Sequence, residues 1–133
     1  MIVVDTNIIG YLFLSSERSL LAERALNMDS EWAAPLIWRS EMRNVLALYM
    51  RKNIIKLEHA QRIMDGALEL VKGREYEVAS YDVLRLASES TCSAYDCEFI
   101  AVANDLEVPL VTSDKKILRD FPKRAVSLSA FCD

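Results

Sequence analysis

The sequence predicts an α/β fold built on a parallel sheet. Three observations carry that reading. Short apolar, β-branched runs recur along the chain, stretches of helical period separate them, and only three glycines and three prolines interrupt 133 residues. Met1–Val4 is a continuous apolar run, as expected of a strand buried on both faces. Thr6–Leu14 is apolar and turns into a helix. Ser19–Met28 places Leu21, Ala22, Ala25 and Leu26 at helical spacing. Glu31–Ala34 reads as a short strand.

Pro35 suits the first position of a helix, where its missing N–H costs nothing. That helix runs to about Lys52, with a stripe of Ala34, Ile37, Trp38, Glu41, Val45 and Leu48. Leu57–Val71 is a further amphipathic helix, closed by Gly73. Glu77–Ala79 reads as a strand, and Ser80 as the N-cap of a helix reaching Ser88. Ser93 caps the next helix, Ala94–Asp105, whose inner stripe is Asp96, Phe99, Ile100 and Ala103. Pro109–Thr112 is a second buried-type strand, Lys115–Phe121 a short helix, and Ala125–Leu128 a last strand.

A chain of 133 residues with 52% hydrophobic content fits one domain, residues 1–133, and can bury a core without disulfides or a structural metal. The cysteines, Cys92, Cys97 and Cys132, are odd in number and irregular in spacing, which is no disulfide framework. They read as buried free thiols of a reducing, cytoplasmic protein rather than as metal ligands. The opening residues do not resemble a signal peptide, and no stretch approaches the roughly 20 apolar residues of a membrane span. The net charge of −4 runs against the basic footprint usual for nucleic-acid binding. Carboxylates that hold cations would account for part of it. Lys115, Lys116, Arg119, Lys123 and Arg124 form a basic stretch opposed by Asp120 alone. It suits a phosphate backbone or, equally, a solvated helix face.

Four carboxylates stand apart. Asp5 ends the first strand and Asp114 follows the Leu110–Thr112 strand. Ligands of open α/β sheets bind beyond the carboxyl ends of strands, so these two acids meet there if their strands are neighbours. Glu41 and Asp96 sit on apolar helix stripes. Each acid also has a structural explanation. Asp5 and Asp114 are placed to cap helices, and Asp96 to complete a capping box with Ser93. Glu41 needs a compensating cation or donor, because a buried lone carboxylate costs several kcal/mol. Arg39 and Arg43 lie two positions either side and face away from it. Converging carboxylates repel, and a bound cation relieves the repulsion. Oxygen-only ligands favour Mg²⁺ or Mn²⁺, which would activate water and stabilise an in-line displacement at a phosphodiester.

Other chemistries are poorly supplied. His59 is the single histidine, so a paired-histidine nuclease is excluded. There is no glycine-rich phosphate loop and no G-x-S-x-G elbow. The cysteines lack a histidine base.

Four segments carry a resemblance. Val3-Val4-Asp5-Thr6-Asn7 resembles the opening strand and D-x-N motif of PIN-domain ribonucleases. Trp38-Arg39-Ser40-Glu41 resembles the start of the helix bearing that family's glutamate. Ser93–Ala103, containing Tyr95-Asp96, resembles its Y-D-x-x-Y/F-x-A-x-A segment. Leu110-Val111-Thr112-Ser113-Asp114-Lys115-Lys116 resembles its L-x-T-x-D strand end. Order, spacing and total length agree over essentially the whole chain, with the VapC-type toxin subgroup nearest.

The resemblance implies a three-layer α/β/α fold with a central parallel sheet of about four to five strands. It implies Asp5, Glu41, Asp96 and Asp114 as catalytic residues holding one or two Mg²⁺ or Mn²⁺ ions. Asn7 would steady Asp5 or a water, and Thr112 or Ser113 would hydrogen-bond nearby. Lys115, Lys116, Arg119, Arg39 and Arg43 are candidate contacts to the RNA backbone. The partners implied are an RNA substrate, an antitoxin protein and a second copy in a homodimer. Two competing readings are a haloacid-dehalogenase-type phosphohydrolase, disfavoured by Asn7 where a second Asp is required, and a PIN-like scaffold that binds without cutting.

Overall fold

Ile2–Val4 forms β1 with all three residues buried, as a strand covered on both faces requires. The computed structural model, which describes residues 1–133, adds β2 (Trp32–Pro35), β3 (Glu75–Tyr76), β4 (Leu110–Thr112) and β5 (Ala125–Ser127). All four pairings are parallel and the strand order is β3-β2-β1-β4-β5. The sheet therefore grows outward from β1 in two directions, and its topological switch point lies between β1 and β4. Val4 pairs with Val111, so the two strands end side by side. Asp5 and Asp114 emerge from those ends.

Eight helices flank the sheet: α1 (Thr6–Phe13), α2 (Ser19–Met28), α3 (Trp38–Arg51), α4 (Leu57–Leu70), α5 (Ser80–Ser88), α6 (Ala94–Leu106), α7 (Lys115–Asp120) and α8 (Leu128–Phe131). None is long and apolar enough to cross a membrane. One continuous core joins Val3, Val4, Ile8, Trp32, Trp38, Met42 and Ile100, all fully buried. α6 packs on β1 and β2 and is buried over most of its circumference, through Cys97, Phe99, Ile100, Ala101, Val102 and Ala103. Cys92, Cys97 and Cys132 are free and buried, and the desolvated thiols of all three sit above their ordinary pKa.

Several elements differ from the sequence reading. Pro35 ends β2 instead of opening a helix. Ala34 and Leu36 donate their N–H groups to Arg74 and Tyr76 of the β3 segment. The missing N–H of Pro35 thus falls on the β1 side, past the last paired residues Val3 and Ala33, where the β1–β2 ladder has ended. The stripe of α3 is Trp38, Met42 and Leu46, one position round from the expected set, and Leu48 is exposed. Glu41 and Val45 therefore border the core rather than sitting in its middle. β3 lies at Glu75–Tyr76, before the expected Glu77–Ala79. Ser80 is inside α5, whose cap, Ala79, supplies no side chain. α8 was not legible, being a single turn capped by Ser127.

Candidate active site

Asp5 closes β1 and caps α1. Its Oδ1 accepts from Ile8 N at 3.1 Å, while Oδ2 accepts from the Thr112 hydroxyl. Thr112 is fully buried at the end of β4, and its Oγ1 also accepts from Asp114 N at 3.0 Å. One hydroxyl thus ties the ends of the two central strands together. Asp114 caps α7 through Oδ1, which accepts from Lys116 N at 2.8 Å and Ile117 N at 3.1 Å. Ser93 caps α6 by accepting from Asp96 N at 3.1 Å. The reciprocal half of the capping box is weaker: the Ser93 hydroxyl and N–H lie close enough to favour the ionised Asp96 carboxylate without a second bond of ordinary geometry. Glu41, in the first turn of α3, accepts from the Thr6 hydroxyl at 2.6 Å. Asp5 and Asp114 thus fill their structural role, one oxygen of each capping a helix, while both groups also line a common cavity.

All four acids line one cavity of about 250 Å³ above the switch point. Thr6, Asn7 and Asn44 complete its polar wall, and Val45, Phe99 and Ile117 its apolar part. No cation pairs with any of the four. The protein's ion pairs join the N-terminus to Asp29, Arg39 to Glu75, Arg85 to Glu89 and Arg119 to Asp120. Burial pushes Asp5 up to about 6, against hydrogen bonds from Thr112 and Ile8, and the Asp114 charge pushes the same way. Glu41 is raised by burial and by Asp96, against the Thr6 hydrogen bond. Asp96 is raised by burial and by Asp114, with Ser93 and Lys116 opposing. Glu98, raised by burial and then by the Glu41 charge, borders a separate groove beside Val83 and Leu84.

The remaining expected residues divide. Thr112 makes the predicted bond to a carboxylate. Ser113 turns away and accepts from Arg18 Nη1 at 3.2 Å. Asn7 is at the exposed lip of the cavity; its backbone N–H helps stabilise the ionised Asp5, and its side-chain amide makes no bond to it. Arg39 is engaged as a fork on Glu75, with Nε–Oε2 at 2.6 Å and Nη2–Oε1 at 2.7 Å. Trp38 Nε1 donates to the same carboxylate at 3.0 Å. Arg119 is engaged by Asp120 at 2.9 Å and by Thr91 at 2.7 Å. Both guanidiniums are thus partly neutralised by a carboxylate, while their side chains stay 42% and 63% exposed. Arg43, Lys115 and Lys116 are exposed and form no ion pair. Thr6 and Asn44, which line the cavity, were missed, and so was the contact of Arg18 with Ser113 beside it. Thr6 sits inside the D-x-N motif, and Asn44 is one turn beyond Glu41 on the same helix face. No local signal marks Arg18, which reaches Ser113 from 95 residues away.

A divalent ion fits the chemistry of this donor set: carboxylates, hydroxyls and amides, with no nitrogen or sulfur ligand. No three acidic, cysteine or histidine side chains stand close enough for a ready-made all-protein cluster. Mg²⁺ does not require one, since it keeps several waters and is commonly held by one or two carboxylates.

An acid-lined cavity at the β1/β4 switch point defines an α/β protein built on a five-stranded parallel sheet with its candidate site beyond the carboxyl ends of the central strands. The PIN domain model matches residues 2–123, and the chain belongs to the PIN domain family. It is 27% identical over 124 residues to Ribonuclease VapC3 of Pyrobaculum aerophilum, covering 91% of this chain and 95% of that one. Its fold is similar to the crystal structure of PAE2754 from Pyrobaculum aerophilum, with a TM-score of 0.77 at 23% identity over 98% of this chain and 92% of the other. It is also similar to a chain of a toxin–antitoxin complex from Klebsiella pneumoniae, with a TM-score of 0.71 at 23% identity, covering 96% and 98%.

Proposed function

We propose that this chain is an Mg²⁺- or Mn²⁺-dependent endoribonuclease acting as the toxin of a toxin–antitoxin pair. The observation that carries the reading is the convergence of Asp5, Glu41, Asp96 and Asp114 on one cavity with no cationic partner. A relative named as a ribonuclease supports it. The four carboxylates would hold the ion. Thr112 orients Asp5, Thr6 orients Glu41, and the helix cap leaves the second oxygen of Asp114 available. Asn7 and Asn44 offer amide donors at the lip, and Val45, Phe99 and Ile117 exclude water from the floor. The ion, when bound, supplies activation of a water and neutralises charge on the phosphodiester. Attack by water rather than by the 2′-OH leaves 5′-phosphate and 3′-hydroxyl ends. The toxin assignment brings an antitoxin partner, a homodimer and a cytoplasmic setting with it, and the Klebsiella complex supports the partner.

Cleavage of a mixed pool of single-stranded and structured RNAs tests the reading, with Mn²⁺, with EDTA, and with Asp5→Asn protein. Cleavage that needs both Mn²⁺ and Asp5 is expected. Products ending in 2′,3′-cyclic phosphate would overturn the mechanism. The separation of the acids favours one second reading, a PIN scaffold that binds without cutting. Calorimetric Mn²⁺ isotherms of wild type and Asp5→Asn decide it: the scaffold predicts no binding by either.

A further inference from the structure

The α1–α2 turn is held by its serines. Arg18 N donates to Ser16 Oγ at 3.1 Å, Ser16 N donates to Ser19 Oγ at 3.0 Å, and Ser19 Oγ donates to Tyr11 O at 2.7 Å. The turn sets the Arg18 guanidinium over the Tyr11 ring, 5.8 Å from its centroid. Nη1 donates to Ser113 Oγ at 3.2 Å, on the residue joining Thr112 to Asp114. Backbone and side chain are both placed, yet no carboxylate neutralises the charge. Arg39, Arg85 and Arg119 face carboxylates. Arg74 and Arg124 are engaged by main-chain carbonyls and by Asn104. Arg18 differs from all of these: Nε and Nη2 donate to no protein atom, and its one partner is a neutral hydroxyl.

An acid-lined cavity that takes a polyanion needs positive charge nearby, and two of the sequence-predicted guanidiniums already share their charge with a carboxylate. Arg18 is tied to Ser113, the residue next to Asp114. We propose that Arg18 is a phosphate-binding residue that clamps the nucleic-acid backbone at the Asp114 side of the cavity. A guanidinium fork with a pair of free donors matches two phosphate oxygens. Pre-positioning by Tyr11 and Ser113 lowers the ordering cost of that contact. The assignment rests on the nuclease reading above, and its test separates the two.

Arg18→Gln keeps a donor for Ser113 and removes the charge, and Arg18→Lys keeps the charge and removes the fork. Binding of a labelled single-stranded RNA is followed by anisotropy in Ca²⁺ across a NaCl series, beside Mn²⁺ cleavage kinetics and Mn²⁺ isotherms. Arg18→Gln is expected to weaken RNA binding about 10-fold, to lower the salt slope by roughly 0.7, and to raise KM more than it lowers kcat. Arg18→Lys falls between it and wild type, and Mn²⁺ affinity stays unchanged. RNA affinity and salt slope equal to wild type would overturn the assignment while wild-type cleavage keeps the nuclease reading standing. A parallel loss of Mn²⁺ affinity would overturn it too, by showing that the substitution acts through the Asp114 turn. Wild-type protein that neither binds nor cuts RNA removes both.

Discussion

Replacing Asp5 by Asn changes stability in a pH-dependent way whose sign follows from burial. Asp5 is 7% exposed and binds its proton more tightly folded, at about 6, than unfolded, at 3.8. Its contribution to stability is most favourable below pH 3.8 and is lost as pH rises through 6. Above pH 7 the free protein carries the whole cost of an ionised, buried carboxylate. At about 1.4 kcal/mol per pH unit that cost is about 3 kcal/mol. The amide keeps an oxygen for Ile8 N, but its NH₂ must now donate to Thr112 Oγ1, which has to turn its own proton away from the site; the poorer arrangement returns about 1 kcal/mol. Asp5→Asn should therefore stabilise the metal-free protein by about 2 kcal/mol at pH 8, or roughly 6–10 °C in Tm. The gain should disappear near pH 4. Urea unfolding in EDTA, read by fluorescence of the two fully buried tryptophans, Trp32 and Trp38, measures it at both pH values. A variant equally or less stable at pH 8 would refute the argument that burial sets the Asp5 pKa.

Thr112→Val leaves Asp5 Oδ2 and Asp114 N without their shared partner and should cost about 2–4 kcal/mol by urea unfolding, with Thr112→Ser largely restoring it. Arg39→Ala should lower Tm, because Glu75 loses the guanidinium fork that holds its carboxylate against the Trp38 N–H, and should leave RNA affinity unchanged in the anisotropy assay. Asp96→Asn should reduce the cleavage rate by orders of magnitude. Its stability at pH 7 should be unchanged or higher, because the helix cap uses the Asp96 backbone and the carboxylate is raised by burial and by Asp114. A large loss of stability would show that the side chain itself holds the α6 terminus.

Strands β1 and β4 were legible because a parallel strand is buried on both faces, so Ile2–Val4 and Leu110–Thr112 read as unbroken apolar runs. The edge strand β3 has two half-buried residues and no such run, and was displaced. Pro35 was misplaced because a residue without an N–H suits both a helix start and a strand end with nothing to receive it. Only the register of β2 between β1 and β3 chooses.

The same division holds at the cavity. Asp5, Glu41, Asp96 and Asp114 stood out as acids at strand ends and on helix inner faces, and the structure brings all four to one place. Thr6 and Thr112 owe their importance to partners far away in sequence, and their hydroxyls act only once Glu41 and Asp5 are beside them. The surroundings of the basic residues depend on the same long-range partners. Sequence spacing shows that an arginine is present but not whether a carboxylate on another element will neutralise it. Arg39 meets Glu75 through β3, and Arg119 meets Asp120 and Thr91, while Arg18 meets only a hydroxyl. By itself the sequence determined the α/β class, the two central strands and the four acids, since local periodicity and strand ends carry them. Tertiary structure alone decided which hydroxyls orient those acids and which cations stay free, because such pairings are set by packing between elements distant along the chain.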